Sequence, residues 1–317
     1  MGILKSIRQY MDNSPTLKPY LLMWLRKTTK TINKWPEEKF IKGVMDCYER
    51  RMGYTFDIHN PVLFTEKLQW YKVYYKRDDF ANVTDKHLFK LYVEERLGKG
   101  YTIPMIKVWD NVSDIEKDWN SLPEEFVLKA NLQSDARNIK IIHKKNEVDF
   151  KKLQKELRRW LKVRNTLVNS WDWHFYNGTP KILAEEYMAN FEDQLFDYKF
   201  FCFNGEPYCI YVAQDHFGKD GSHISFYDLD WKKMDVKYGN HIVGDAEKPK
   251  HFNEMVEIAK KLSKGFPFVR VDFFDTDEQV YVAELTFAPG GGATPYHPES
   301  FNKKLGDMFI LPKKGNK

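Results

Sequence analysis

The sequence predicts an α+β protein, on three observations. Residues 1–100 have mostly helical spacing with charged faces, whereas short strand-like runs follow from about residue 101. Near the end, residues 268–287 alternate between apolar and polar side chains around a turn-prone connection, which is typical of an antiparallel hairpin. A chain of 317 residues is long enough for one large domain or two to three small ones.

The helical elements are predicted from apolar spacing and end signals. Residues 84–98 form the best-defined helix of the first part, with a capping residue at the start and Gly98 at the end. Two further helices are predicted at about 148–166 and 251–265. Residues 17–35 combine a short apolar core with five lysines or arginines. We expect a peripheral helix there that packs its apolar side on the domain, with a membrane-surface helix as the alternative.

The strand predictions rest on short apolar or alternating runs between turn signals. They lie at 101–106, 126–130, 138–142, 182–188, 198–203, 208–213 and 224–227, ahead of the closing hairpin. The sequence shows no internal repeat and no low-complexity tract.

Composition limits the classes of function. Hydrophobic residues make up 42% and charged residues 30% of the chain, as in ordinary globular proteins. With 50 basic and 45 acidic residues the net charge is only +5, which does not indicate a nucleic-acid partner. Three cysteines without metal-type spacing, and the lack of a secretory signal or a bilayer-length apolar stretch, predict a cytoplasmic location. In the membrane-surface alternative, the basic segment 17–35 would place the protein at the inner face of the membrane.

The closing hairpin has one apolar and one polar face. The apolar face is predicted to contain Val269, Val271, Phe273, Tyr281, Ala283, Leu285 and Phe287. The polar face carries four residues: Arg270, Asp272, Glu284 and Thr286. With an unpaired five-residue connection, Arg270 would lie opposite Glu284, and by the same count Asp272 would lie opposite Val282. A cation, two carboxylates and a hydroxyl then converge at spacings that a divalent metal bridges.

Four earlier segments carry polar groups in an order that suits a nucleotide. Lys86 lies at a predicted helix N-terminus, where anions bind, and Lys90 follows one turn later. Lys129 ends an apolar strand and is followed by a polar loop, a common way to hold phosphate. Residues 185–188 end a strand with partners for a purine edge and a ribose, and the polar run 197–199 comes next. Each segment alone has an ordinary structural explanation, so the order is what points to function.

Together these segments resemble the ATP-grasp superfamily. The closing strands are similar to the Arg-x-Asp and Glu-x-Asn strands that hold magnesium in carboxylate–amine ligases such as D-alanine–D-alanine ligase. A closer resemblance is to the TupA-like branch, which is associated with teichuronopeptide and surface-polysaccharide synthesis. The similarity extends from about residue 40 to 312. The matching segments are 60–70, 85–86, 122–129, 185–187, 197–205 and 270–272.

The resemblance implies a fold in which two sheet-containing subdomains clamp ATP. On this basis we expect a helical N-terminal region over residues 1–100. The small ATP-grasp subdomain would occupy residues 101–180, and the large subdomain, with the metal site, residues 181–317.

The resemblance also implies the residues of the ATP site. Lys86 and Lys129 would bind the α- and β-phosphates, and Asp197 would accept the ribose hydroxyls. Lys199 is a further phosphate candidate, for which Lys232 is the alternative. The full set is Lys86, Lys129, Ser134, Arg137, Glu185, Glu186, Tyr187, Met188, Asp197 and Lys199, with residues 185–188 at the adenine.

The sequence departs from the family pattern at two places. Family members commonly carry a glycine-rich loop after the strand lysine, but residues 132–137 contain no glycine. The phosphate cover is therefore either reshaped or uses Ser134 and Arg137 instead. Thr286 stands where the metal-binding asparagine is usual, and a hydroxyl is a weaker oxygen ligand than an amide carbonyl.

The reaction implied by the resemblance is ATP-dependent amide formation. Asp272, Glu284 and Thr286 would hold Mg²⁺, or alternatively Mn²⁺, across the β- and γ-phosphates. A substrate carboxylate would attack the γ-phosphate to form an acyl phosphate, and an amine would then displace phosphate. The expected partners are an amino acid or another amine and a uronic acid of a capsular or surface polysaccharide.

The same resemblance assigns the groups around the reacting carbonyl. Arg270 would supply positive charge to the oxyanion of the tetrahedral intermediate. Gly290, Gly291 and Gly292 would let the substrate approach the backbone closely, and a flexible turn is the structural alternative.

Two other functions are compatible with parts of the sequence. Asp228 and Asp230 follow a strand-like run and fit the Asp-x-Asp with which many glycosyltransferases bind a metal and a nucleotide sugar. Two aspartates in this pattern are also typical of a simple turn. The third hypothesis is a non-catalytic, ATP-binding assembly factor, which the glycine-free loop favours and the retained carboxylates disfavour.

Overall fold

The computed structural model describes residues 35–77, 79–132, 138–162, 171, 178–188, 196–214 and 223–314. The helix predicted at 17–35 lies, except for its last residue, outside these ranges. Within the described ranges, no helix is both long enough and apolar enough to cross a membrane.

The helices of the described ranges run from 5 to 16 residues. They are α1 (Glu37–Met52), α2 (Phe64–Tyr74), α3 (Phe80–Thr84), α4 (Lys86–Leu97), α5 (Val112–Asp118), α6 (Phe150–Lys162), α7 (Phe252–Ser263) and α8 (Glu299–Met308). The helix predicted at 84–98 is confirmed as α4, which Asp85 caps and Gly98 ends. The helices predicted at 148–166 and 251–265 correspond to α6 and α7.

The smaller of the two main sheets is antiparallel and has four strands. Their bounds are β1 (Met105–Trp109), β2 (Phe126–Ala130), β3 (Ile139–Ile142) and β4 (Ile182–Glu186), and their order is β1-β4-β2-β3. Buried Phe126 and Leu128 share one core with Leu157 of α6. Because side chains alternate along a strand, Lys129 projects from the opposite face. β4 belongs to this sheet although it follows residue 180, where we placed the boundary between the subdomains.

The larger sheet is also antiparallel and has six strands. The remaining strands are β5 (Asp197–Phe203), β6 (Glu206–Gln214), β7 (His223–Asp228), β8 (Lys233–Met234), β9 (Lys237–Tyr238), β10 (Phe268–Asp275), β11 (Val280–Thr286) and β12 (Tyr296–His297). The sheet order is β11-β10-β5-β6-β7-β8, and β9 pairs separately with β12. One face packs on α7 through Phe200 and Phe252, whose ring centroids are 6.0 Å apart. On the other face, Phe64 of α2 packs on Phe268 at 4.9 Å, and beyond Phe268 this face carries the polar side chains of the candidate site.

The hairpin of β10 and β11 has a different register from the predicted one. Asp272 lies opposite Glu284, and Arg270 lies opposite Thr286. The predicted pairs of Asp272 with Val282 and Arg270 with Glu284 are therefore wrong by two residues. Because a shift of two residues preserves the face, the four polar side chains still lie together.

Two local features cause this shift. The Thr276 hydroxyl donates to the carbonyl of Gln279 at 2.8 Å, which closes a shorter loop and pairs Asp275 with Val280. Ala283 is the extra residue of a β-bulge in β11, which adds the second residue of the shift. An alternating sequence does not reveal a bulge, because the apolar–polar alternation continues unchanged through the extra residue. The bulge changes only the side of the sheet on which the residues beyond it project.

The strand predicted at 101–106 is misplaced, because β1 begins at Met105. The residues before it bond elsewhere. The carbonyl of Tyr101 accepts from the Val282 amide at 2.7 Å, and the carbonyl of Ile103 accepts from the Lys90 ammonium. These bonds connect the entry of the smaller sheet to β11 and α4.

Gly306 lets α8 pack closely on the start of α2. A Cβ added there would lie 2.4 Å from the carbonyl oxygen of Val62 and 2.9 Å from the amide nitrogen of Phe64. We expect Gly306→Ala to lower the free energy of unfolding by about 2 kcal/mol because the backbone must move, although alanine itself favours a helix by about 1 kcal/mol. Urea unfolding measures the change, and Lys303→Ala on the exposed side of α8 is the control. Equal stability of Gly306→Ala and the parent protein would show that the contact relaxes at no cost.

Candidate active site

Asn131 joins three elements of the site. Its Nδ2 donates to Asp85 Oδ2 at 2.6 Å, and its Oδ1 accepts from the Lys181 amide at 2.7 Å. Its backbone carbonyl accepts from the Lys86 amide at 3.2 Å. Asp85 in turn caps α4 by accepting from the His87 amide at 2.8 Å. The N-terminus of α4 is therefore fixed beside the ends of β2 and β4, a role of Asn131 that was not predicted.

Glu185 is the centre of a buried charge cluster on the smaller sheet. Its carboxylate accepts from Lys90 Nζ at 2.8 Å and from Lys129 Nζ at 2.6 Å. Burial alone would raise the pKa of Glu185, but the two ammonium groups outweigh burial and lower the pKa to about 2. Glu185 is therefore ionised at neutral pH and holds Lys129 in place.

Lys86 lies between the charged groups of the two sheets. Burial lowers the pKa of its ammonium, while Glu284 of the larger sheet acts in the opposite direction. Lys129 and Glu185 of the smaller sheet also act on it, with opposite signs. Lys86 begins α4, which packs against β11 of the larger sheet, and its amide bonds to Asn131, two residues after Lys129 of the smaller sheet. Lys86 and Lys129 therefore share one region between the sheets, which we call the cleft.

A row of side chains crosses the larger sheet at one level. Glu284 of β11 lies opposite Asp272 of β10, which lies opposite Lys199 of β5. Lys199 lies opposite Tyr211 of β6. Because directly opposed residues project from the same face, these four groups lie side by side. Tyr211 was not predicted as a site residue, since only the register of β5 and β6 places it there.

Asp272 is the most firmly held member of this row and is 1% exposed. Arg270 Nε donates to its Oδ1 at 2.7 Å, and Arg270 Nη2 donates to its Oδ2 at 2.5 Å. Lys199 Nζ donates to Oδ2 at 3.0 Å and also pairs with Asp197. Burial raises the pKa of Asp272 to about 6, against the opposite effects of Arg270 and Lys199. The structure thus brings Arg270, Asp272, Asp197 and Lys199 together.

Glu284 and Thr286 complete the polar face of the hairpin. Thr286 Oγ1 donates to Glu284 Oε1 at 2.8 Å and accepts from Arg270 Nη2 at 3.2 Å. Burial raises the pKa of Glu284, but Lys86, Arg270, Lys199 and the hydrogen bond from Thr286 together lower it by more, so the net shift is downward. The Glu284 carboxylate is therefore ionised at neutral pH.

The chemistry of this donor set fits magnesium. Among the described residues, no group of three or more His, Cys, Asp or Glu side chains could hold a metal ion by itself. Asp272, Glu284 and Thr286 nevertheless offer two carboxylates and one hydroxyl, which are hard oxygen donors. Mg²⁺ commonly takes only one or two carboxylates from a protein and completes its coordination with phosphates and water.

The glycine turn is fixed by α2. Gly290, Gly291 and Gly292 have φ angles of 60°, 67° and 68°, in the left-handed region that favours glycine. Gln69 Nε2 donates to the carbonyl of Gly292 at 2.6 Å, and Lys72 Nζ donates to the carbonyl of Gly291 at 2.8 Å. Lys72 is 1% exposed. These bonds argue against a flexible turn, and neither Gln69 nor Lys72 was predicted as a site residue.

Residues 185–188, the strand end predicted to bind the adenine, differ in how exposed their side chains are. Glu186 is exposed and projects from the face opposite to Glu185, since side chains alternate along β4. Tyr187 is half-buried and packs edge-on against His143, with ring centroids 5.1 Å apart. Met188 is also half-buried. Of the four residues, Glu185 alone takes part in the buried charge cluster described above.

The other predicted residues lie outside the described residues or on the surface. Ser134 and Arg137 belong to the first group. Asp228 Oδ1 accepts from the amides of Asp230 and Lys232 at 3.0 and 2.8 Å, which is a turn. The side chains of Asp230 and Lys232 are 78% and 76% exposed and pair with each other at 3.6 Å, whereas Lys199 is buried and pairs with Asp272.

A family model described as TupA-like ATPgrasp matches residues 66–310. The chain belongs to the TupA-like ATP-grasp family. This match confirms the resemblance found in the sequence, the α+β ATP-grasp fold class and the assignment to the ATP-grasp ligases, which are enzymes. No curated protein matches the chain.

Several solved ligase structures show a weak likeness to this TupA-like ATP-grasp protein. D-alanine–D-alanine ligase from Bacillus anthracis is 19% identical, with a TM-score of 0.41 over 72% of this chain and 66% of that one. Phosphoribosylamine–glycine ligase from Thermotoga maritima is 14% identical, with a TM-score of 0.42 over 68% and 51%. L-amino acid ligase from Bacillus licheniformis is 15% identical, with a TM-score of 0.38 over 67% and 42%. The chain thus spans about two thirds or less of these structures, and values this low carry no assignment of substrate.

Proposed function

We propose that the protein is an ATP-dependent ligase that joins a carboxylate to an amine and releases ADP and phosphate. The observation that carries this proposal is the row of Glu284, Asp272 and Lys199 on one side of the cleft, with Lys86 and Lys129 close to it. Phosphoryl transfer needs acidic oxygens for a metal ion and cationic groups for the phosphates, and both are present in one place.

In the first step the residues of the cleft would orient ATP against the carboxylate. Lys86, Lys129 and Lys199 would bind phosphate oxygens, residues 185–188 the adenine, and Asp197 the ribose. Ser134 and Arg137 remain the proposed cover of the phosphates. A carboxylate oxygen attacks the γ-phosphorus, the bond to the bridging oxygen of the β-phosphate breaks, and ADP leaves behind an acyl phosphate.

The polar residues of the β10–β11 hairpin would stabilise the charges that develop during the reaction. Asp272, Glu284 and Thr286 would hold Mg²⁺ or Mn²⁺, whose charge offsets that of the β- and γ-phosphates. In the second step the amine nitrogen attacks the carbonyl carbon, the bond from that carbon to the phosphate oxygen breaks, and the nitrogen loses one proton to the departing phosphate. Arg270 would stabilise the oxyanion, and the turn 290–292 would let the substrate approach the backbone.

The identity of the two substrates is proposed from the resemblance to the TupA-like branch found in the sequence. We propose an amino acid or another amine as one substrate and a uronic acid of a capsular or surface polysaccharide as the other. The reaction would take place in the cytoplasm, where the basic segment 17–35 would bring the enzyme to the inner face of the membrane. We expect no nucleic-acid partner, because the net charge is only +5.

The test is a nucleotide-release assay with Mg²⁺, a uronic-acid oligosaccharide and a panel of amino acids. We expect ADP and phosphate to form only when both co-substrates are present. Turnover of a nucleotide sugar without ATP would contradict the proposal and favour the glycosyltransferase, although Asp228 is engaged in a turn. ATP binding without turnover of any pair would favour the assembly factor.

A further inference from the structure

Three tyrosines from three separate strands meet near Arg270. Tyr211 lies in β6 opposite Lys199, Tyr238 ends β9, and Tyr296 begins β12. The ring centroids of Tyr211 and Tyr238 are 5.5 Å apart, and those of Tyr238 and Tyr296 are 5.0 Å apart. We call these three residues the tyrosine cluster. Tyr211 lies opposite Lys199, and Lys199 lies opposite Asp272, which Arg270 binds, so the cluster lies near that guanidinium. Burial raises the pKa of both Tyr211 and Tyr296, and the positive charge of Arg270 acts on both in the opposite direction.

The hydroxyl groups of the tyrosine cluster are not used by the described part of the protein. Tyr211, Tyr238 and Tyr296 are only 7%, 6% and 3% exposed, yet none of their hydroxyls makes a hydrogen bond to a described residue. None of these oxygens is among the fully enclosed, unpartnered polar atoms of the described chain. Each oxygen therefore retains some accessible surface, although its ring is buried.

Tyrosines on the opposite face of the same sheet behave differently. The Tyr198 hydroxyl donates to the carbonyl of Glu247 at 3.5 Å, and the Tyr227 hydroxyl accepts from the Ala246 amide at 2.8 Å. Both hydroxyls thus have protein partners, as buried polar groups usually do. Tyr211, by contrast, lies on the face that carries Arg270 and Lys199, and its hydroxyl has no partner among the described residues.

The tyrosine cluster also touches the glycine turn. A Cβ built on Gly290 would lie 2.4 Å from the Tyr238 hydroxyl and 2.5 Å from Thr294 Oγ1. Only a glycine at this position leaves room for these two hydroxyls. The turn that we assign to the substrate therefore has hydroxyl groups directly against it.

Resting on the proposed function, we propose that the tyrosine cluster binds the hydroxyl groups of the carboxylate substrate, which is a sugar acid and not an aliphatic acid. A phenol hydroxyl can donate and accept, as a sugar hydroxyl can, so the two groups satisfy each other. A carboxylate without hydroxyls would leave each phenol unpaired when bound, at about 1–3 kcal/mol per group. The positive charge of Arg270 beside the cluster favours the acid group of the same substrate.

The test measures equilibrium binding of glucuronate and of cyclohexanecarboxylate, which has the same ring size and acid group but no hydroxyls. Titration calorimetry is performed on the full chain with Mg²⁺ and a non-hydrolysable ATP analogue. We expect glucuronate to bind more tightly than cyclohexanecarboxylate, and Tyr211→Phe, Tyr238→Phe and Tyr296→Phe each to raise the Kd of glucuronate about 10-fold. The affinity for the ATP analogue should stay unchanged in Tyr238→Phe and Tyr296→Phe, which lie outside the row that contains Lys199. Tyr198→Phe, which removes a hydroxyl from the opposite face, is the matched control and should bind glucuronate as the parent protein does.

Two outcomes would overturn the proposal. One is equal binding of glucuronate and cyclohexanecarboxylate, or no saturable glucuronate binding. The other is an unchanged Kd of glucuronate in the three variants, each shown by thermal unfolding to be folded. If aliphatic carboxylates then support amine-dependent ADP release, the protein is a ligase but the tyrosine cluster is not a site for sugar hydroxyls. If glucuronate binds specifically but no pair of carboxylate and amine leads to ADP release, the ligase function is wrong and the binding of sugar hydroxyls by the tyrosine cluster is retained.

Discussion

Asp272→Asn is expected to abolish amine-dependent ADP release while the protein remains folded. Asparagine has nearly the same shape, but it removes the negative charge that faces Arg270 and Lys199 and would bind the metal ion. Losing one group that stabilises charge in the transition state typically costs about 10²- to 10³-fold in kcat. Initial rates of ADP release at saturating ATP measure the loss, and circular dichroism with thermal unfolding checks the fold.

The matched control for this variant is Asp230→Asn. It makes the same chemical change at a side chain that is 78% exposed and lies in the surface turn at the end of β7. Surface substitutions usually change a free energy by less than about 0.5 kcal/mol, so ADP release should stay near that of the parent protein. The reverse result, with turnover lost in Asp230→Asn and kept in Asp272→Asn, would mean that the hairpin is not the active site.

The faces of the strands were predictable because alternation is a local property of the chain. Arg270, Asp272, Glu284 and Thr286 were expected on one face of a hairpin, and all four lie there even though the register is shifted. Lys129 was predicted from another local signal, its place where an apolar run gives way to a polar loop, and it lies one residue before the end of β2. Period-two patterning needs no knowledge of the partner strand, but it fails across a bulge. Tyr281 was predicted on the apolar face, yet it lies opposite Phe274, on the face of Asp272.

Contacts between distant parts of the chain were not predictable from the same patterns. Lys72 and Gly291 are 219 residues apart in sequence, yet one hydrogen bond joins them and helps to fix the glycine turn. Asn131 bonds to Asp85 across 46 residues. Tyr211 enters the site only through its register with Lys199. Such contacts depend on how the elements pack, which a single sequence does not state.

Glu185→Gln is expected to lower the free energy of unfolding by about 3 kcal/mol at neutral pH. The variant keeps the size of the side chain but leaves the ammonium groups of Lys90 and Lys129 in a buried place without their carboxylate. Because the pKa of Glu185 is lowered from 4.5 to about 2, its contribution is fully present above about pH 4.5 and is lost as the pH falls toward 2. Urea unfolding at pH 7 and near pH 3 should therefore show a smaller difference between the two proteins at the lower pH.

A variant of an exposed ion pair in the same part of the chain shows how much stability is lost when a charge is removed without burial. Glu147 pairs with Lys144 at 3.0 Å, with both side chains about two thirds exposed, so Glu147→Gln should cost less than about 1 kcal/mol.

A double-mutant cycle of Glu185→Gln with Lys90→Met measures the coupling between Glu185 and Lys90, because removing Lys90 also removes one of the two stranded charges. We expect the double variant to be less destabilised than the sum of the single variants. Additive costs, or a loss in Glu185→Gln no larger than in Glu147→Gln, would mean that Glu185 does not organise the lysines of the cleft. If it does organise them, the same variant must also raise the KM for ATP, since Lys129 would no longer be held where the phosphates bind.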